Sequence, residues 1–191
     1  MNRKIYFATT NQGKINEAKS SLGIEVEGVG LNIDEVQSLD PNEVGVKKAR
    51  EYFKELKKPI FIEDNSLIFK ALGRLPGTYI NDFWKELGNQ GLIDLLKDKT
   101  SRVAIAQTTL VFIDENQKEH IFIATVKGTI SAKTNLDKND QITGDAIKNT
   151  NNNIILNINP LFFLLAIGPI IEFIILSFLI GYAIGKRKLS F

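Results

Sequence analysis

The chain has 191 residues, enough for one domain with a small appendage. Its formal net charge of +2 gives no electrostatic footprint for nucleic acid, and the absence of cysteine excludes disulfides and thiolate metal sites. A single histidine, His120, excludes a multi-histidine metal cluster. The apolar run after residues 1–4 is too short for a signal peptide, so we expect about the first 130 residues to be cytoplasmic.

The first chemically informative stretch follows a short strand predicted over residues 4–8. It leads through a polar loop into a helix with Ile15, Ala18 and Leu22 at helical spacing. The loop residues are Thr9, Thr10, Asn11, Gln12, Gly13 and Lys14. Donors and positive charge at a helix N-terminus suit a phosphate group. The spacing is not that of a Walker motif, and a plain N-capped helix is the alternative.

A second strand is predicted over residues 24–31, followed by a polar loop that carries Asp34 and Glu35. Asp40 opens the sequence Asp-Pro-Asn-Glu, which is typical of a capping box with proline at the first helical position. We therefore interpret Asp40 as the cap of a helix over residues 41–56 rather than as a ligand. Lys48 lies on a face of that helix, where a solvated charge is the usual role.

The centre of the chain is a short buried strand over residues 60–62 that runs into two carboxylates, Glu63 and Asp64. Side chains alternate across a strand, so the two acids should point to opposite faces. Asn65 and Ser66 favour a turn, which predicts that the pair lies at a strand end facing a cleft. A carboxylate there can bind Mg2+, whose other ligands are water and substrate phosphates. Two solvated acids are the alternative.

The next elements are a turn over residues 73–77 and two helices over 79–87 and 91–96, separated by Gly88 and Asn89. Strong alternation over 102–114 and 119–130 then predicts a long hairpin. Its predicted inward side chains are Val103, Ile105, Leu110, Phe112, Ile121, Ile123 and Val126. The fold class that follows is an α/β domain with a mixed, twisted sheet flanked by helices.

The composition changes abruptly near Lys133. Residues 134–153 are rich in Asn, Asp and Lys and predict a polar linker or disordered segment after a domain over 1–133. Residues 154–185 are hydrophobic, and the 24 residues of 161–184 span about 36 Å as a helix, enough for a hydrocarbon core of about 30 Å. We predict a transmembrane helix kinked near Pro169, with a basic tail over 186–191. Its alternative is a re-entrant hairpin bent at that proline.

Seven short stretches occur in order along residues 1–133. They are ATTNQGK at 8–14, EVQ at 35–37, KA at 48–49, IEDNSL at 62–67, ALGRLPGTY at 71–79, GNQGL at 88–92 and VKGTI at 126–130. This series resembles the inosine triphosphate pyrophosphatase family, most closely its archaeal and eukaryotic branch. The resemblance implies hydrolysis of inosine, deoxyinosine and xanthosine triphosphates to the monophosphate and pyrophosphate, in cleansing of the nucleotide pool. It also implies a homodimer.

The resemblance assigns a role to each candidate residue. Residues implied to contact the purine nucleoside triphosphate are Thr9, Thr10, Asn11, Gln12, Gly13, Lys14, Lys48 and Asn65. Glu35 and Asp64 are implied to bind Mg2+, and Asp64 also to accept the proton of the attacking water. Glu63 is implied to support that site. The metal would neutralise phosphate charge and the lysines would stabilise charge in the transition state.

The chain departs from the family pattern after residue 133. The Phe-Gly-Trp/Tyr-Asp-Pro and Ser-His-Arg segments that read the base do not occur, and Asn81 stands where the family has a basic residue. Three interpretations follow: a truncated or frame-disrupted member, a domain fused to a membrane anchor, or an enzyme with poor base discrimination. The rival function is a catalytically weak, membrane-anchored nucleotide-binding or interaction module.

Overall fold

The computed structural model describes residues 4–132 and 154–156, which form seven strands and three α-helices. In chain order these are β1 (Lys4–Phe7), α1 (Gln12–Leu22), β2 (Glu25–Gly28), α2 (Pro41–Leu56), β3 (Ile60–Phe69), β4 (Pro76–Gly77), α3 (Ile80–Asp94), β5 (Val103–Ile113), β6 (Glu119–Ile130) and β7 (Ile154–Leu156). A 3-10 turn over Lys70–Leu72 follows β3.

The strands form one mixed sheet in the order β2-β1-β3-β5-β6-β7, with β4 paired to β3. Strand β1 runs parallel to β2 and β3, whereas β5 runs antiparallel to β3 and β6. The helices lie on both faces of this sheet. The α/β fold with a mixed sheet flanked by helices is therefore confirmed.

Each face of the sheet has its own apolar cluster. Ala49 of α2 packs with Ile62 and Val111 on one face. The larger cluster on the other face includes Leu92 of α3, with Ala18 of α1 packed against it. Burial of these apolar side chains is the main force that holds the helices on the sheet. Helix α2 therefore faces one side of β3, and α1 and α3 face the other.

The central strand is longer than predicted. The prediction of a turn at Asn65 and Ser66 is wrong, because all ten residues of β3 pair with β5. The amide of Asn65, which favours turns in general, contacts the hydroxyl of Thr108 on β5 instead. Glu63 and Asp64 therefore lie in the middle of a strand rather than at its end. They point to opposite faces, as the alternation of side chains predicts.

The long hairpin is present, but four of its seven predicted inward residues are not buried. Ile121 and Ile123 are 45% and 47% exposed and Val103 and Ile105 are only partly buried, whereas Ala124 and Val126 are buried. Four consecutive apolar residues in β6, residues 121–124, leave the register ambiguous in the sequence, and the strand turns its even-numbered residues to the core. The break predicted at Gly88 is confirmed as a kink inside α3, where φ is 63° and ψ is −175°.

The C-terminal predictions fall mostly outside the described residues. This applies to the linker over 134–153, the hydrophobic segment beyond residue 156 and the basic tail over 186–191. The residues Ile154–Leu156, where the predicted membrane segment begins, form β7 and pair in parallel with the end of β6. Within residues 4–132 and 154–156, no helix combines the length and apolar character needed to cross a bilayer.

Candidate functional site

The loop between β1 and α1 has the geometry of an N-capped helix. Asn11 has an extended backbone, and its side-chain oxygen accepts the backbone N–H groups of Gly13 at 2.9 Å and Lys14 at 3.3 Å. The Thr9 hydroxyl accepts the N–H of Asn11 at 3.1 Å. Asn11 therefore caps α1 and leaves an exposed helix N-terminus beside Lys14, while the phosphate-binding role of this loop stays a prediction.

Two other residues of this loop make local contacts. A Cβ atom on Gly30 would clash with Cγ2 of Thr10, so the glycine lets the loop after β2 approach the β1–α1 loop closely. The Gln12 amide donates to Asn16 at 2.8 Å, one turn further along α1. Their contacts hold the loop in shape, while Thr9, Asn11 and Lys14 form its polar rim.

On the α1 face of β3, Glu63 is part of a series of hydrogen-bonded side chains. It accepts the Asn65 amide at 3.0 Å and the Lys14 ammonium at 3.4 Å. The other end of the Asn65 amide accepts the Thr108 hydroxyl at 2.5 Å. The side chains of Lys14 and Glu63 are only 18% and 9% exposed. This face therefore joins the α1 loop to β3 and β5.

On the α2 face, Lys48 donates to Glu35 at 2.5 Å, and Asp64 lies within electrostatic reach of both. Burial raises the pKa of Asp64, and the ammonium groups of Lys48 and Lys14 only partly oppose that rise. Burial lowers the pKa of Lys48, but the hydrogen bond and charge of Glu35, together with the charges of Asp64 and Tyr52, outweigh it, so that the Lys48 pKa is raised. Both effects follow from charges held partly away from water.

Charged side chains from the two faces of β3 form a series of alternating sign, which we call the charge row. Its members, which three separate elements and one loop contribute, are Glu63, Lys14, Asp64, Lys48 and Glu35. Three negative and two positive groups leave the row short of one positive charge when all are ionised. The structure thus brings together every predicted acid and both predicted lysines.

The predicted metal ligands Glu35 and Asp64 both lie beside Lys48. Among the described residues, no cluster of three or more His, Cys, Asp or Glu side chains stands close enough to form an all-protein metal cage. Mg2+ does not require one, because it usually binds one or two carboxylates together with water and substrate phosphates. The ammonium of Lys48 already lies near both carboxylates. Glu35 and Asp64 are therefore the two carboxylates here that could hold such an ion.

The sequence did not reveal the contacts that hold the loop carrying Glu35. The backbone N–H of Leu31 donates to the Tyr52 hydroxyl, and the hydroxyl of Thr78 donates to the carbonyl of Ser38. Both partners lie far along the chain, so no local pattern could have indicated them. Asp40 is confirmed as the N-cap of α2, since it accepts the N–H of residue 42 at 2.9 Å.

Comparison with known proteins identifies the family. The sequence profile of the Ham1 family matches residues 5–141. The chain belongs to the Ham1 family. Relatives of this Ham1-family chain carry the name inosine triphosphate pyrophosphatase, so the resemblance seen in the sequence is confirmed.

Two relatives and one solved structure illustrate the match. Inosine triphosphate pyrophosphatase of Candida glabrata is 33% identical over 136 residues, which cover 66% of this chain and 71% of the relative. The dITP/XTP pyrophosphatase of Methanopyrus kandleri is 34% identical over 131 residues, covering 67% and 70% of the two chains. The Staphylococcus aureus Ham1 protein has the same fold, with a TM-score of 0.71, 21% identity and coverage of 94% and 100%.

Proposed function

We propose that this Ham1-family chain hydrolyses inosine- and xanthosine-type nucleoside triphosphates to the monophosphate and pyrophosphate, which removes non-standard purines from the nucleotide pool. The observation that carries the proposal is the charge row, in which two lysines lie near the half-buried Asp64, beside an exposed helix N-terminus. The names of the relatives supply the substrate class.

The triphosphate would bind at the N-terminus of α1 and between the two lysines. Thr9 and Asn11 form the polar rim of that helix end, where N–H groups favour negative charge. Lys14 lies 3.4 Å from Glu63, a long contact from which its ammonium can turn to a phosphate oxygen. Lys48 stands on the other side of Asp64. The two ammonium groups would stabilise the charge that develops as pyrophosphate leaves.

Glu35 and Asp64 would hold a divalent cation, for which Mg2+ is our choice because its ligands are oxygens and it shares its shell with phosphates. When bound, such an ion neutralises phosphate charge and acidifies water. The burial that raises the pKa of Asp64 also makes its carboxylate a stronger proton acceptor than an exposed one. Asp64 would take the proton of the water that attacks the α-phosphorus, as the bond to the bridging oxygen breaks.

Glu63 and Asn65 support this site from the opposite face. Asn65 joins Glu63 to the Thr108 hydroxyl, and Glu63 accepts the Lys14 ammonium, which keeps Lys14 beside the strand. The homodimer implied by the family and a membrane anchor within residues 161–184 remain predictions, because both depend on parts of the chain or contacts outside the described residues.

The test is pyrophosphate release by the full chain, with ITP, XTP and ATP as substrates and Asp64→Asn as the control. We expect release in the presence of Mg2+, faster for ITP and XTP than for ATP, and lost in the variant. Release at the same rate in wild type and Asp64→Asn would overturn the proposal. Tight binding of ITP without any release would instead establish the rival function, a nucleotide-binding module.

A further inference from the structure

The loop over residues 29–39, hereafter the Glu35 loop, joins β2 to α2 and contains neither helix nor strand. The Glu35 side chain is 54% exposed, so packing does little to fix its position. The contact with Lys48 joins two side chains and leaves the backbone of the loop undetermined. Something else must hold this backbone if Glu35 is to share a cation with Asp64.

Both ends of the Glu35 loop are tied to other elements. At the start, Val29 N–H donates to the carbonyl of Phe7 at 2.8 Å, and Leu31 N–H donates to the Tyr52 hydroxyl at 3.2 Å. Tyr52 is buried in α2, which makes it a fixed partner. These two contacts lie upstream of Glu35 and leave the downstream half of the loop to a different anchor.

The downstream anchor is the turn over residues 73–78, hereafter the clamp turn. Its Thr78 hydroxyl donates to the carbonyl of Ser38 at 2.5 Å, and its Arg74 guanidinium donates to the carbonyl of Leu39 at 2.8 Å. Two consecutive backbone carbonyls are thus held by two side chains of one turn. This arrangement fixes the direction of the loop just after Glu35.

The clamp turn is itself attached to the strand that carries Asp64. Its residues Pro76–Gly77 form β4, which pairs with β3 near Leu67. Gly77 has a φ of 64°, and a Cβ there would stand 2.7 Å from the carbonyl oxygen of Arg74 and 3.2 Å from Leu39. Only glycine allows the turn to close so tightly over the loop. The same strand therefore presents Asp64 and supports the clamp on the Glu35 loop.

We propose that Arg74 and Thr78 are positioning residues that hold the Glu35 loop so that Glu35 and Asp64 bind one divalent cation together. The inference rests on the proposed function for its cation, but it assigns the geometry of the site to two residues that do not touch the cation. Arg74 is exposed and both donors serve backbone carbonyls. Their loss should therefore loosen the loop while leaving the two apolar clusters intact.

The test measures Mn2+ binding to the full chain by electron paramagnetic resonance, without substrate. The main variant combines Thr78→Val, which removes the hydroxyl and keeps the shape, with Arg74→Ala. We expect its Mn2+ affinity to fall about tenfold, the effect of losing two hydrogen bonds that orient one ligand. The Mg2+ concentration for half-maximal pyrophosphate release should rise by a similar factor, while kcat at saturating Mg2+ stays near that of wild type.

Two controls separate positioning from general damage. Arg50→Ala also removes one exposed arginine and its hydrogen bonds, but to Glu119 on the hairpin, and it should leave Mn2+ affinity unchanged. A second double variant, Thr78→Ser with Arg74→Lys, keeps a hydrogen-bond donor at both positions, so it should keep most of the wild-type Mn2+ affinity. It serves as the comparison if the main variant unfolds at a low temperature.

Wild-type Mn2+ affinity in the double variant would overturn the inference. So would an equal loss in Arg50→Ala, or a wild-type chain that binds no Mn2+. A wild type that binds Mn2+ but releases no pyrophosphate would refute the proposed function alone, because the affinity measurement does not need turnover.

Discussion

Glu63 and Asp64 are neighbours on β3, yet they face opposite sides of the sheet and meet different surroundings. Glu63 accepts hydrogen bonds from Asn65 and Lys14, and the Asn65 amide is joined in turn to Thr108. Asp64 has charged groups around it, but burial dominates and raises its pKa. Glu63 thus has hydrogen-bond partners within the protein, whereas the surroundings of Asp64 disfavour its charged form.

This difference indicates how one strand divides structural and chemical roles. A half-buried acid whose neighbours do not fully compensate its charge gains more from an added cation than one that is already hydrogen-bonded. Under the proposed function, Glu63 would therefore support the site, whereas Asp64 would take part in the reaction. Three experiments on β3 and its partners test this division.

The largest expected effect is on turnover. Asp64→Asn should lower kcat about a thousandfold, because it removes a general base and weakens a metal ligand. Lys14→Ala should cost less, about a hundredfold, since it removes one donor to the phosphate charge. Pyrophosphate release measured at saturating Mg2+ gives both numbers. Glu63→Gln, which keeps the size of the acid, is the matched control on the other face, and equal losses in all three variants would contradict the division.

A smaller effect is expected at Asn65, and it should appear in stability rather than in rate. Asn65→Ala leaves the Thr108 hydroxyl and the Glu63 carboxylate each short of a partner, which should lower the free energy of unfolding by about 1–2 kcal/mol. Urea unfolding measures this change. Asn65→Ser tests whether a small hydroxyl can replace the amide. A loss of kcat as large as that of Asp64→Asn would instead show that Asn65 takes part in the reaction.

Periodicity and capping rules predicted the parts of the site that local physics controls. The opposite directions of Glu63 and Asp64 follow from alternation along a strand, and the caps Asn11 and Asp40 follow from side chains that accept nearby N–H groups. The α/β class follows from the order of the elements. In each case the interacting groups are a few residues apart, so the sequence contains the information.

Long-range partners explain where the predictions failed. Asn65 favours a turn in isolation, but Thr108, 43 residues away, holds it inside a strand. The outward direction of Ile121 depends on the pairing of β6 with β5, which places Ile121 opposite Val111. The hold of Arg74 on Leu39 joins two loops that have no common pattern. Tertiary contacts overrode local preference at each of these positions, and one sequence does not encode them visibly.

The smallest expected effect concerns the pH dependence of stability in protein treated with EDTA. Burial raises the pKa of Asp64 above its value in the unfolded chain, although Lys48 and Lys14 oppose the rise. The folded state therefore binds this proton more tightly. The stability that Asp64 contributes is full below the unfolded pKa of about 3.9 and is lost as the pH rises through the folded pKa.

Asp64→Asn should consequently raise the Tm at about pH 7 and leave it nearly unchanged at about pH 3, where the wild-type acid is protonated in both states. Glu63→Gln should behave differently at neutral pH, since it weakens a hydrogen-bonded ion pair with Lys14 and should lower the Tm. Thermal unfolding of the three proteins at both pH values makes the comparison. If Asp64→Asn also lowered the Tm at neutral pH, the attraction of the lysines would outweigh burial, and the two acids of β3 would both be structural in the metal-free chain.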